Sequence, residues 1–544
     1  MDESADVTNV AWQPFGPAAF ETATRTERPI LLSLTATWCS ECQLMDREAY
    51  AEPRLAANIN DDFVPVRVDV DRHPRVRDRY NMGGFPSTVF LTPAGELLTG
   101  ATYLSPEALR SVLERVRERW ADRDDDVGRI PRSLRSTPPD GDVTDEIERL
   151  IAGQLREQFD AEYAGWGTDA KFPMPRTVEF ALKRERTIAE RTLDAIRQHL
   201  TDTYGGGFFR YATERDWSDP RREKLLDENA SLLRAYANAY CYTGEDAYRE
   251  TAADTMGYLT GTLWTGEAFA GSQAPGDPEQ YHQSPSDRER ADEPAIDETI
   301  FADRNALAAE ALLTYYAYTD DDTARRYAER TLEYLTSTLL DDGTVRHFVH
   351  PTHDATGETG LLADQARAIA AFTTAAQVLD SAYIEPATAA ANRTIERLQT
   401  DHGFIDGPAA GPGLLDRPLY SIDMNAELAD ALIDLHWLTG TDRFLRAART
   451  AIGAFAGAKD RFGVQVAGYG AAAARLVTPP LRIEIGGPTG SELHRAALRI
   501  ADHEKVVVPD AGVPAGTAVP IIDGERRAPV GSPDELLDAI TTSL

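Results

Sequence analysis

Two of the chain's three cysteines, Cys39 and Cys42, stand in Thr37-Trp38-Cys39-Ser40-Glu41-Cys42. That is the spacing a dithiol needs to open and close a disulfide. The segment before it, from Pro29 to Thr35, is apolar and β-prone, and Gln43 to Tyr50 after it keeps helical spacing up to Pro53. The motif therefore falls where a strand gives way to a helix. Cys39, at the helix start, is placed as the nucleophile, because unpaired amide N–H groups there favour a thiolate. Cys42, one turn deeper on the same side, is placed as the resolving thiol. Between them the Glu41 carboxylate opposes a second negative charge and should slow attack. Cys-x-x-Cys also serves as half of a zinc site, but zinc needs two further ligands, and His73 has no second Cys or His beside it. Redox chemistry without metal or cofactor is the expectation.

The neighbouring elements suit that chemistry. Phe63 to Asp69 reads as a second strand, Ser87 to Leu91 as a third and Leu97 to Tyr103 as a fourth, after a Pro93-Ala94-Gly95 turn. Gly83-Gly84-Phe85-Pro86 precedes the third. With the cysteine pair, this arrangement resembles the thioredoxin family. The resemblance implies that Pro86 is a cis-proline facing the dithiol, and that Cys39, Cys42, Pro86 and Trp38 form the catalytic set.

Composition narrows the alternatives. A chain of 544 residues predicts two or three domains. Its formal charge of -33 argues against nucleic acid as a partner, since phosphate would be repelled over most of the surface. Lysine occurs only at 171, 183, 224, 459 and 505 among many arginines and acids, which reads as a halophile's surface, screened in strong salt. Met1 to Asn9 is acidic and lacks an apolar core, and no apolar run approaches membrane-spanning length, so a soluble, cytoplasmic protein without membrane association is expected. Three cysteines also argue against a disulfide scaffold.

Along the chain, residues 1–120 form the α/β redox domain, ending in a helix opened by Ser105-Pro106-Glu107. Residues 121–142, with Asp124-Asp125-Asp126 and several prolines, read as a linker. Residues 143–477 are successive helices, predicted at about 143–160, 176–200, 225–243, 246–263, 301–319, 322–340, 361–380, 386–399, 423–439 and 442–457. Short polar turns such as Thr243-Gly244-Glu245-Asp246 alternate with long loops rich in glycine and aromatics, the signature of repeated helical hairpins. Residues 478–544 return to a small α/β pattern. His347, His350 and His353 are read as a solvated loop without a carboxylate partner, and Cys241 as a buried apolar residue.

Ala170-Lys171-Phe172-Pro173, Gly205-Gly206-Gly207-Phe208-Phe209-Arg210-Tyr211 and Glu223-Lys224-Leu225-Leu226 with Asn229, together with Cys39 to Tyr50, resemble thioredoxin-domain proteins fused to an (α/α)6 toroid. These include the spermatogenesis-associated thioredoxin-like proteins and their bacterial and archaeal relatives. The resemblance implies a toroid similar to N-acylglucosamine 2-epimerases and six-hairpin glycosidases. This sequence departs from the pattern at Arg221 and Arg222, where a histidine would stand after Pro220, at Ser272-Gln273-Ala274, and near Ile522 to Arg526, where a cysteine pair is missing. In a closed ring the loops and helix starts converge on one cavity. That logic nominates Trp166, Lys171, Arg210, Trp217, Glu223, Lys224, Asn229, Asp303, Asn305, Asp364, Asp423 and Asn425 as substrate-binding residues. The expected function is thiol–disulfide exchange coupled to a toroid that binds a protein disulfide substrate or a small, polar, sugar-like ligand. The alternatives are a carbohydrate-active toroid of epimerase or glycosidase type and a non-catalytic binding scaffold.

Overall fold

In the computed structural model, residues 8–122, 127–353 and 355–541 are described. The linker's acidic run Asp124-Asp125-Asp126 lies outside them. The chain divides into two units, one formed by 1–137 with 406–420 and the other by 138–405 with 421–544.

The first unit is a five-stranded sheet flanked by helices. Its strands are β1 (Gln13–Pro14), β2 (Ile30–Thr35), β3 (Val64–Asp69), β4 (Ser87–Leu91) and β5 (Leu97–Ala101), and its helices are α1 (Pro17–Thr26), α2 (Ser40–Met45), α3 (Pro53–Asp62), α4 (Pro74–Tyr80) and α5 (Pro106–Ala121). The strand order is β1-β3-β2-β4-β5, with β1, β3 and β2 parallel and β4 and β5 antiparallel. β2 lies mid-sheet and is buried on both faces, hence its near-continuous apolar sequence. Ser105 caps α5 by accepting the Ala108 N–H at 3.3 Å. The segment 406–420 joins this unit through charge. Arg79 holds Asp406 at 2.5 and 3.2 Å and donates to the carbonyls of Leu414 and Arg417, while Arg75 donates to those of Ala410 and Leu415.

The second unit is a ring of helical hairpins. Its outer helices are α6 (Asp145–Glu157), α8 (Arg186–Leu200), α10 (Asp246–Tyr258), α13 (Asp322–Tyr334), α15 (Ile384–Leu398) and α17 (Asp442–Gly453). The inner ones are α7 (Pro175–Arg184), α9 (Leu226–Thr243), α12 (Ala302–Thr319), α14 (Leu362–Val378), α16 (Ile422–Thr439) and α18 (Ala467–Val477); α11 (Pro285–Arg288) is a single turn in a long connection. Each inner helix packs on the next in the order α7-α9-α12-α14-α16-α18, and α18 returns to α7, so the circle closes. The first helix, α6, pairs with the last, α18. Inner helices are buried nearly all round and rich in alanine, which lets neighbours approach on both sides, whereas outer helices such as α13 keep one polar face. Because hairpins alternate in direction, the inner helices run in one sense and share one amino-terminal rim.

Two corrections concern helices. The stretch predicted as one helix over 176–200 breaks at Glu185 into inner α7 and outer α8, although no glycine or proline marks the turn. Inner helix α18 falls in a stretch for which no helix was predicted; its Ala-Gly-Tyr-Gly opening hides the helical period. After the ring, strands Val506–Val508, Arg482–Ile485, Ala518–Ile522 and Glu525–Arg526 form a four-stranded sheet in that order, with α19 (Glu492–Leu498) and α20 (Pro533–Thr541). This segment contacts the carboxyl-terminal end of α14: the Val507 N–H donates to Gln377 Oε1 at 2.9 Å, and His494 Nε2 lies 2.7 Å from the Gln377 carbonyl.

Candidate functional site

In the first unit Cys39 stands immediately before α2 in an extended conformation, and its sulfur accepts the Cys42 N–H at 3.1 Å. Such a donor stabilises negative charge on that sulfur. The two sulfurs are joined as a disulfide with Cα atoms 5.3 Å apart. Both cysteines are buried, as is Trp38, whose indole N–H donates to Asp71 Oδ2 at 2.8 Å and whose ring meets Phe85 edge-on. The Phe85–Pro86 bond is cis, and the Trp38–Phe85 ring contact places the residue before Pro86 against the residue before Cys39. Asn81 secures that loop, its Oδ1 accepting the N–H groups of Gly83 and Gly84. The four catalytic candidates therefore lie together.

The twelve toroid candidates do not share one role. Lys171 is fully buried and spends its ammonium on Asp160 at 2.9 Å and on the carbonyls of Ala164 and Gly167. Together with Arg215 it holds the Asp160 carboxyl well below the usual range despite burial. Lys224 is bound likewise to Asp202 at 2.8 Å and to the Gly206 carbonyl. The indoles of Trp166 and Trp217 donate to the carbonyls of Leu155 and Tyr163. These four fasten loops. Asn229, Asn305 and Asn425 do so too, each as the fourth residue of an inner helix. Each Oδ1 accepts a loop N–H, from Phe208, Phe269 or Phe404, and each Nδ2 donates to that same residue's carbonyl and to the carbonyl just before its helix. Every polar atom of these amides is occupied within the protein.

The remaining candidates are ionisable groups, most near the amino-terminal rim. Arg210 reaches Glu223 at 3.4 Å and Glu228 at 3.7 Å. Burial raises Glu223 and pushes Glu228 up to about 8. Asp303 binds Arg367 at 2.8 Å. Asp364 is fully buried and meets His347 Nδ1 at 2.9 and 3.1 Å, and burial raises its carboxyl. This corrects the reading of His347 as a solvated loop residue: the chain folds back so that Phe348 pairs with Phe301, which turns the imidazole inward onto the start of α14. His350 is half-buried and His353 is exposed. Asp303, His347 and Asp364 have potential ligand atoms within 4.8 Å of one another. The Arg367 guanidinium already supplies positive charge to Asp303 there.

Along the ring axis lies a cavity of about 410 Å³ whose walls include Asp423, Arg367, Arg234, Arg475 and Glu427, and whose carboxyl-terminal end carries His503, Glu504 and Lys505. Its charges are mostly paired. Arg367 holds Glu427 at 2.8 Å, Arg234 binds Glu179 at 2.8 Å and also Glu310, and Arg475 binds Asp430 and Asp434. Burial and the Glu427 charge push Asp423 up to about 6, whereas Arg367 overrides burial and takes Glu427 down to about 2. Sequence reasoning found only Asp423 of these. The missed signal is a stripe: Asp423, Glu427, Asp430 and Asp434 recur at intervals of four, three and four on an otherwise apolar helix.

Residues 3–137 match the Thioredox_DsbH family, described as a protein of unknown function, DUF255. Spermatogenesis-associated protein 20 of Homo sapiens is 30% identical over 295 residues, which cover 47% of this chain and 37% of that protein. The chain thus spans well under half the length of the curated relatives it matches first. The thiol:disulfide interchange protein TxlA of Synechococcus elongatus is 38% identical over 80 residues, 14% of this chain and 40% of that protein. Among solved structures, a crystal structure of D-mannose isomerase aligns at 13% identity with a TM-score of 0.47, covering 61% of this chain and 96% of that one.

Proposed function

We propose, from the premise that this chain carries a thioredoxin-like DUF255 domain and is homologous to the spermatogenesis-associated protein 20 family, that its first unit performs thiol–disulfide exchange. Cys39 attacks the substrate disulfide, and Cys42 resolves the mixed disulfide. The observation that carries this reading is the pair itself: two sulfurs already bonded, with the Cys42 N–H on Cys39 and the cis-Pro86 loop alongside. The relative TxlA is named for thiol:disulfide interchange, which points the same way. Reduction of a model disulfide by the dithiol form, followed in high salt for wild type and Cys39→Ser, tests it; equal rates would refute it.

A second reading, acid–base chemistry on a small polar molecule in the ring cavity, draws on one observation. Asp423 and Glu427 sit one turn apart, and their environments push them in opposite directions, so that one holds a proton where the other is ionised. Solvent deuterium incorporation into a panel of monosaccharides tests it. Incorporation that survives loss of both cysteines but vanishes in Glu427→Gln supports it, and no incorporation with any sugar refutes it.

A further inference from the structure

Lysine is scarce here, and four of the five are spoken for. Lys171, Lys183, Lys224 and Lys459 each hold a carboxylate, respectively Asp160, Asp502, Asp202 and Glu146. Lys505 alone among them has no carboxylate within ion-pairing distance among the described residues. The acids beside it in sequence belong to other cations: Lys183 takes Asp502 at 2.8 Å and Glu504 at 3.0 Å, and Arg184 takes Glu504 at 2.7 Å. Lys505 Nζ donates instead to the Asp502 carbonyl at 3.1 Å and faces the Tyr318 ring at 5.5 Å. It belongs to the wall of the ring cavity, at the end where the segment after the ring meets the carboxyl ends of α12 and α14.

We propose that Lys505 Nζ is a carbonyl-capturing amine, which condenses with a small polar aldehyde entering the ring cavity. An anion gains no net positive field there, because the seven lining carboxylates outnumber the five lysine and arginine side chains. A neutral polyhydroxylated aldehyde can use the donors and acceptors of the walls, and about 410 Å³ suits a ligand of that size. Burial lowers the affinity of Lys505 for its proton, favouring the neutral amine that attacks. Its nitrogen lone pair forms a bond to the carbonyl carbon, and the π pair moves to oxygen, which takes up a proton as nitrogen releases one. The carbinolamine hydroxyl then leaves as water with one further proton, and C=N forms. His503 lines the same cavity, lies 3.0 Å from the Tyr242 hydroxyl through Nδ1, and is kept neutral by burial, so it can relay these protons.

The test uses the full chain with glyceraldehyde as probe and cyanoborohydride to reduce the imine, followed by peptide mapping by mass spectrometry. The expected result is label on the Lys505 peptide several-fold above the Lys183 and Lys459 peptides, absent from that position in Lys505→Arg. Hexanal, an apolar aldehyde, should label Lys505 several-fold less. Label that follows surface exposure, with Lys459 and the amino terminus ahead of Lys505, overturns the proposal whatever the variant does. Equal labelling of Lys505 by both aldehydes overturns its assignment to polar substrates.

Discussion

Replacing Asn305 by alanine separates a loop-fastening role from a ligand-binding one. Asn305, Phe269 and Phe301 are all fully buried, and three hydrogen bonds depend on the amide: the Phe269 N–H to Oδ1 at 2.8 Å, and Nδ2 to the carbonyls of Phe269 at 3.0 Å and Phe301 at 2.9 Å. Alanine leaves the Phe269 N–H with no acceptor, a loss of about 1–3 kcal/mol, and strips a donor from two carbonyls. A total of about 3 kcal/mol follows, which corresponds to a loss of hydrogen-exchange protection on the order of 100-fold. The readout should be the Phe269 amide, because a two-unit chain gives no single unfolding free energy. Asn305→Asp keeps the acceptor but turns a carboxylate on two carbonyls, so it should protect no better than alanine. The reasoning fails if Asn305→Ala leaves Phe269 protection within about 3-fold of wild type, since the amide would then contribute under about 0.7 kcal/mol.

Cys42→Ser should accumulate a mixed disulfide on Cys39 with a disulfide-bearing substrate, visible by non-reducing electrophoresis, because the resolving sulfur is gone. Asp406→Ala should destabilise 406–420 and α4 by about 3 kcal/mol, since Arg79 is fully buried and would lose its only carboxylate among the described residues, whereas Asp78→Ala, an exposed pair with Arg77, should cost under about 0.5 kcal/mol; denaturant dependence of hydrogen exchange in these segments measures both. The Asp423 carboxyl is raised from 3.8 to about 6 in the folded chain, so its contribution to stability is complete below about pH 4 and is lost as pH rises through about 6. Glu427, lowered from 4.5 to about 2, contributes above about pH 4.5 and loses that contribution as pH falls toward 2. Hydrogen-exchange protection of the α16 amides against pH for wild type, Asp423→Asn and Glu427→Gln should show each slope vanish in its own variant.

The thioredoxin-like unit was legible because its signals are local. A β-prone run, a dithiol spacing, a Ser-Pro-Glu cap and a Gly-Gly-Phe-Pro loop lie close together, and the strands from them fall within a residue or two of the observed ones. The cavity was less legible because its walls depend on which face of each inner helix turns inward, and alanine-rich helices buried all round give no amphipathic stripe of apolar residues to show it. What remained readable was the inverse pattern, polar residues on an apolar background, as in Asp423 to Asp434. His347 was misread for a related reason: its partner Asp364 lies seventeen residues away, and only the pairing of Phe348 with Phe301 brings them together.

The loop fasteners also explain why charge gathers on one rim. Asn229, Asn305 and Asn425 occupy the same helical position, and Gly207 and Gly403, both at positive φ, precede two of the loop partners. A side-chain carbon on either glycine would meet the asparagine oxygen at 2.9 or 3.1 Å, so glycine there is what lets the amide close on the loop. Two residues before each asparagine stands an aspartate, Asp227, Asp303 or Asp423. In α14 the fastener is Gln365, which accepts the Val345 N–H and donates to the Gly343 carbonyl and to Thr394 of outer helix α15. There the residue two positions earlier is Ala363, and α14 supplies instead Arg367, the cation that binds Asp303 and Glu427. The fastened amides thus set these four first turns in the same register, and among the four the helix without the aspartate, α14, carries the counter-charge its neighbours need.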